Sequence, residues 1–508
     1  MKKKLVSLLM AATLSLGMVF GGVTAMAAEA EQESPVGNGE TIYVGQTNIV
    51  KSMDPTDSSV PWALTAHGVS ESIFMLDEEG NTYSRFIDSL EQTDDNDWTL
   101  KMKTGVKFSD GSDVTANSIC DCMNEVIEKN GLSNATAGKL EFTAVDDTTF
   151  TVHTERMTKQ MVSVLTEWTN IVFKHLDNGE YAFTGPYMIE NLDPGVEISM
   201  TPNPYYDDQA ENRPNVVIKA FKDTSAMQLA FEGGEIDMAF TVTPDVAEIL
   251  EAEGYTVKNI DAGYQYFGIM NLERAPLDDL NVRKAVNAAL NREDMLTALK
   301  GGSVATGFFA HYYSFAGDVE ITTSTDDAAA YLEEAGWTQN DSGNLEKDGE
   351  ELSLKLVTYA SRPDLTIIMQ LAAAQLNELG IQTTTEIVDS IDETGRSGEY
   401  DIMFYAQHTA PTADPAFALN QFFRQGEGKN FNNYSSDKVV ELLDQMGTME
   451  PGEERDALAV EVQDVVYEDL PVLFLVDPQW HIAVSDKLAD YTPYCGDYYV
   501  INPKLGLE

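Results

Sequence analysis

Apolar residues recur along this chain with two periods, and the switch between them marks its elements. Residues 98–103 (WTLKMK) alternate like a half-buried strand. Residues 106–108 (VKF) read as a second short strand entering the Asp110-Gly111 turn, and Thr115 is placed to cap a helix running to about 129. Residues 140–145 and 149–154 read as a hairpin with Asp146-Asp147 at its turn. Ahead of them, 40–47 is a first strand, followed by a polar loop around Met53-Asp54-Pro55. Between 184 and 206, two strands are set off by Gly185-Pro186, Asp193-Pro194-Gly195 and Asn203-Pro204. A strand at 216–221, a helix near 225–231 and a strand at 236–240 follow.

The second half is more regular. Asn281 is placed to cap a helix whose Val282, Ala285, Val286, Ala289 and Leu290 share one face. A strand at 352–357 leads to a helix from Asp364 with Ile368, Leu371, Ala372 and Leu376 on one face, stopped at Gly380. Residues 381–388 form the next strand, and 401–406 (DIMFYA) are nearly all apolar, as in a strand covered on both faces. Helices near 437–445 and 453–467 precede a strand at 471–476 that leads back towards the first half. Strand, helix and buried strand in this order imply an α/β chain of at least two lobes with crossover connections. Ligands in such sheets sit beyond the carboxyl ends of strands. The strand ending at Ala406 therefore aims Gln407, His408 and the loop to Asp414 at a candidate site.

One apolar stretch is of another kind. Lys2, Lys3 and Lys4 precede an apolar run over 5–23 that ends in Ala25-Met26-Ala27. This is the three-part pattern of a secretory signal, 1–27, with cleavage before Ala28. No cysteine stands at that point to carry a lipid, so the expectation is an exported protein, periplasmic or free outside the cell. Residues 28–39 are acidic and polar and read as a flexible leader. The 508 residues exceed one ordinary core and point to two or three domains. The formal net charge of −52 becomes three units more negative once the signal lysines leave. Such a chain repels nucleic acid and anionic lipid.

The residue inventory argues against catalysis. There is no H-E-x-x-H helix, no G-x-S-x-G elbow and no P-loop lysine motif, and the six histidines are scattered. A glycosidase needs only two facing carboxylates, and 84 acidic residues leave a secreted hydrolase open by counting. Cys120, Cys122 and Cys495 are odd in number, so no full disulfide framework exists. One bridge to Cys495 and buried free thiols both remain open at this point.

Several blocks in fixed order resemble the extracytoplasmic solute-binding proteins of peptide- and nickel-type ABC importers, solute-binding family 5. They are WTLKMKTGVKFSDGSDVTAN at 98–117, Thr184-Gly185-Pro186-Tyr187 with Asn203-Pro204-Tyr205-Tyr206, and Gly233-Gly234-Glu235-Ile236-Asp237. Later come Leu277-Asp278-Asp279 with Val282-Arg283-Lys284-Ala285, then Ala335-Gly336-Trp337, Gly398-Glu399-Tyr400-Asp401 and Asp414-Pro415. The resemblance implies a two-lobed periplasmic-binding-protein-like fold with a small extra α+β domain in the first lobe. It places lobe one at about 40–262 and 478–508, the extra domain within about 58–183, and lobe two at about 263–477. The implied role is capture of a peptide, an opine-like chelator or a chelated metal, and delivery to a membrane permease. No cofactor, no nucleic-acid partner and a monomeric state are expected. A ligand-sensing or chaperone-like surface protein on the same fold is the other alternative.

The resemblance also suggests where to look for ligand contacts. Peptide-binding relatives commonly carry an acidic residue three positions before the acidic-Pro pair, and here that position is Pro411. The loop is similar to that of nickel-type members, with His408 near an aromatic that faces the ligand. Basic residues for a chelator's carboxylates are not evident beside Trp168; Lys174 is nearest, and Arg424 is a substitute from lobe two. Trp168, Tyr264 and Tyr266 are candidate apolar walls. Asn48 and Lys51 follow the first strand, and Asp414 is expected to start a turn with Pro415.

Overall fold

Two large sheets carry the architecture, and the chain crosses between them twice. The computed structural model describes residues 36–133, 135–494 and 496–507. The expected signal sequence, most of the expected leader and Cys495 lie outside them. The first sheet has seven strands in the order Tyr187–Asp193, Glu197–Pro202, Asn215–Ala220, Thr41–Gln46, Met238–Val242, Gln479–Val484 and Thr256–Asp261. Thr41–Gln46 runs parallel to both its neighbours. The second sheet has six, in the order Ser303–Val304, Val472–Asp477, Tyr264–Met270, Ile402–His408, Ser353–Tyr359 and Gln382–Val388.

The second sheet is the better covered, and its sequence shows why. Every residue of Tyr264–Met270, Ile402–His408 and Val472–Asp477 is buried. Strands covered on both faces read as continuous apolar runs, which is the pattern of 401–406. The helix Pro363–Glu378 connects the parallel strands Ser353–Tyr359 and Gln382–Val388 as a crossover. It ends as expected: Gly380 has φ +96, a left-handed conformation, and an added Cβ would lie 2.6 Å from the carbonyl of Gly343.

A smaller layer sits in the first half. The antiparallel strands Ile87–Asp94, Asp97–Met102, Thr149–Thr154 and Leu140–Asp146 pack with the helix Ala116–Lys129. Thr115 caps that helix reciprocally with Ser118.

Three expectations change. Residues 106–108 form no strand; Lys107 makes a single bridge to Asp113. The cap of the helix Leu280–Ala289 is Asp279, whose carboxylate accepts the N–H of Asn281 at 2.8 Å. The late strand Val472–Asp477 pairs with Tyr264–Met270 inside the second sheet, and it is Gln479–Val484 that joins the first. The chain thus leaves the first sheet through Ala262-Gly263 and returns through Pro478, and these connectors touch, Ala262 N donating to Pro478 O at 3.1 Å. Cys120 and Cys122 are buried free thiols, each pushed up to about 12 by burial.

Candidate solute-binding cleft

The carboxyl ends of the parallel strands converge on one cavity of about 460 Å³. From the first sheet come Gln46, Thr47 and Asn48 after Thr41–Gln46, and Phe240 and Thr241 on Met238–Val242. From the second come Tyr359 to Arg362, Val388 to Asp392, and Tyr405 to Gln407. Trp62 and His67 (at the helix Val60–Ala66), Trp168, Lys429 and the late residues Asp497 and Tyr498 complete the wall.

Arg362 is the electrostatic centre of one side. It ends the loop after Ser353–Tyr359, where the following Pro363 disfavours helix at the preceding residue. Its guanidinium pairs with the Asp497 carboxylate and donates to the Tyr264 hydroxyl at 3.2 Å. It also lies 4.9 Å from the Tyr264 ring centre and 4.8 Å from that of Trp480. Burial alone would lower its pKa, but Asp497 and the surrounding tyrosine oxygens hold it well above the ordinary arginine value. Burial, with Asp497 added, raises the Tyr264 phenol, which donates to that same carboxylate. Arg362 belongs to the second sheet's loops, whereas the segment of Asp497 is tied to first-half residues: Ile501 N donates to Ala66 O at 2.9 Å and Leu76 N donates to the Tyr499 hydroxyl at 3.2 Å. Thr47 Oγ1 also reaches Ser361 O across the cleft at 3.3 Å.

The opposite side holds a polar chain. Lys429 Nζ donates to Tyr405 OH at 2.7 Å and Gln407 Oε1 at 2.9 Å, and Tyr405 donates to Asp392 at 2.8 Å. Burial lowers the Lys429 pKa. His67 is pushed down to about 4 by burial and stands neutral, 3.1 Å from Gln46 Oε1. The buried indole N–H of Trp62 has no hydrogen-bond partner among the described residues.

The expected contacts divide. Asn48, Lys51, Trp168 and Tyr264 all line this cavity, the first two exposed at its edge. His408, Tyr266 and Arg424 do not. His408 is buried behind the wall, its ring 5.5 Å from Tyr264 and 5.2 Å from Tyr498. Tyr266 accepts from Trp480 at 2.9 Å and donates to Asp364 at 3.0 Å. Arg424 bonds Asn420 and Asp444, both at 2.7 Å, beside a separate cavity of about 270 Å³. Lys174 pairs with Asp110 at 2.7 Å. Asp414 does start a turn, accepting from Ala416 N at 2.8 Å, and it also pairs with buried Arg455 at 2.6 Å.

Sequence reasoning did not single out Arg362, Lys429 or Asp497. The strand-end rule reaches Arg362 once Ser353–Tyr359 is placed beside Ile402–His408. Lys429 and Asp497 lie in loops without periodicity and carry no comparable signal.

Residues 81–430 match the family described as bacterial extracellular solute-binding proteins, family 5 middle. The chain belongs to this family. Nickel-binding protein NikA of Staphylococcus aureus is 20% identical over 507 residues, covering 97% of this chain and 99% of that protein. Oligopeptide-binding protein AppA of Bacillus subtilis is 24% identical over 456 residues, covering 82% of each. Solved structures share the two-lobed fold: S. aureus NikA with Ni(L-His)2 at a TM-score of 0.82 and 19% identity, and B. subtilis AppA with a nonapeptide at 0.80 and 18%. In both, 92% of this chain and 99% of the other superpose. The chain is therefore a solute-binding protein with a two-lobed α/β fold.

Proposed function

We propose that this protein captures one small polar solute outside the cytoplasmic membrane and delivers it, unchanged, to the permease of an ABC importer. The observation that carries the reading is the cavity of about 460 Å³ whose walls come from both sheets. A solute there touches both lobes only when they are shut, so binding favours closure by population shift. The volume lies in the range of small-molecule sites and suits a short peptide, an opine-like chelator or a chelated metal. The names of NikA and AppA, a nickel-binding and an oligopeptide-binding protein, support a solute of this general kind. Secretion by the N-terminal signal and action as a monomer belong to the same reading.

Native mass spectrometry of the purified protein tests it, followed by titration calorimetry with the solute found. One solute per chain, bound saturably, is the expected result. Turnover of a substrate panel without stoichiometric binding would sink the reading in favour of a hydrolase.

A further inference from the structure

We propose that Lys429 holds a carboxylate of the bound solute, so that the cleft selects acids over their amides. The proposal rests on the solute-binding reading and deepens it.

Lys429 sits in the loop between the helices Ala416–Phe423 and Asp437–Gly447 and is only 8% exposed. The loop is held firmly: an added Cβ on neighbouring Gly428 would lie 2.8 Å from both Gly131 O and Leu132 Cδ2. An ammonium has three N–H donors. Two are used, on the neutral oxygens of Tyr405 and Gln407, which line the same cavity. Among the described residues Lys429 makes no ion pair; Asp392 bonds the Tyr405 hydroxyl beside it and acts on the ammonium only through space.

Other buried cations are treated differently. Arg455 pairs with Asp414 at 2.6 and 2.9 Å, and Arg213 with Asp207 at 2.7 and 2.6 Å. Arg283 and Arg292 direct their N–H groups to backbone carbonyls and, for Arg292, the Asn287 side chain. Of these buried cations only Lys429 faces the cavity with a donor to spare; Arg362, which also lines it, already has a carboxylate partner in Asp497. A buried charge without a partner is costly. With 84 acidic residues in the chain, the missing partner does not reflect a shortage of carboxylates. A solute oxygen anion supplies it. Asp389, Asp392 and Asp497 also line the cavity, which disfavours a dianion such as phosphate and favours a single carboxylate.

The test compares wild type with Lys429→Met, using two probe pairs. One is tri-L-alanine and its C-terminal amide; the other is Ni(II) with L-histidine or with L-histidinamide. Wild type is expected to bind an acid at least about tenfold more tightly than its amide, and Lys429→Met to lose the difference. A carboxylate solute retained by wild type is expected to be missing from Lys429→Met. The ligand-free variant is expected to melt at or above the wild-type temperature, because an apolar chain replaces a buried ammonium. Lys429→Gln, a neutral donor, serves if the first variant fails to fold, with the same expected loss. Equal binding of acid and amide to wild type, discrimination that survives in the variants, or a co-purified solute without a carboxylate would each overturn the proposal while leaving capture intact. If no probe binds and no solute co-purifies, the capture reading itself falls, and this inference with it.

Discussion

At the scale of single residues, burial sets the behaviour of the charged groups. Half-buried Arg362 pairs with buried Asp497, and removing one member strands the other. Asp497→Asn is expected to destabilise the protein by about 3 kcal/mol, the usual cost of breaking such a pair, read by thermal or urea melting. An unchanged melt would show that the pair is not sustained in solution. Glu167 is buried beside Trp168 and pushed up to about 8 by burial. Its folded value lies above its unfolded one, so its contribution is fully present below about pH 4.5 and lost as pH rises through about 8. Glu167→Gln is expected to match wild type near pH 5 and to exceed it near pH 8.5, by an amount on the order of 3 kcal/mol. His67 and His408 act on the other flank. Burial lowers both to about 4, so their unfolded forms protonate first and stability is lost as pH falls from about 6.5 towards 4. His67→Gln is expected to flatten that acid limb in melts taken across this range.

At the scale of elements, the connection between the sheets is the sensitive place. Gly263 lies between Thr256–Asp261 and Tyr264–Met270, and an added Cβ would stand 2.7 Å from two atoms of the His408 ring. Gly263→Ala is expected to cost about 1–3 kcal/mol by overpacking, and a second change, His408→Ala, to restore part of it. Additive losses in the double-mutant cycle would show that the two do not meet. Most elements of the second half were legible, because a helix stripe or a wholly apolar strand is a property of consecutive residues. The exceptions are instructive. Residues 106–108 have a strand's composition but find only one bridging partner, Asp113. Asp279 outcompetes Asn281 as a cap because its carboxylate reaches an N–H two residues on.

At the scale of the whole molecule, an ion pair away from the cleft joins the two halves of the chain. Arg156 of the first half pairs with Glu427 of the second at 2.9 Å, both partly buried. Separation of the lobes exposes this pair to water, so its loss falls mainly on the closed state. Glu427→Gln is expected to weaken solute binding several-fold while leaving the ligand-free melt nearly unchanged, as titration calorimetry and a melt would read. The sequence alone determined the α/β class, the crossover helices and the ordered blocks of a solute-binding family, since each is written in neighbouring residues. It also pointed to Asn48, Lys51, Trp168 and Tyr264, which reach the cavity from strand ends or beside them. Only the tertiary structure decided that His408 packs behind the wall, that Arg424 stands at another cavity, and that Arg362, Lys429 and Asp497 share one cleft. Those three are separated by up to 135 residues, the span from Arg362 to Asp497. Their meeting depends on two sheets and two short connectors, and no local pattern encodes a distance of that kind.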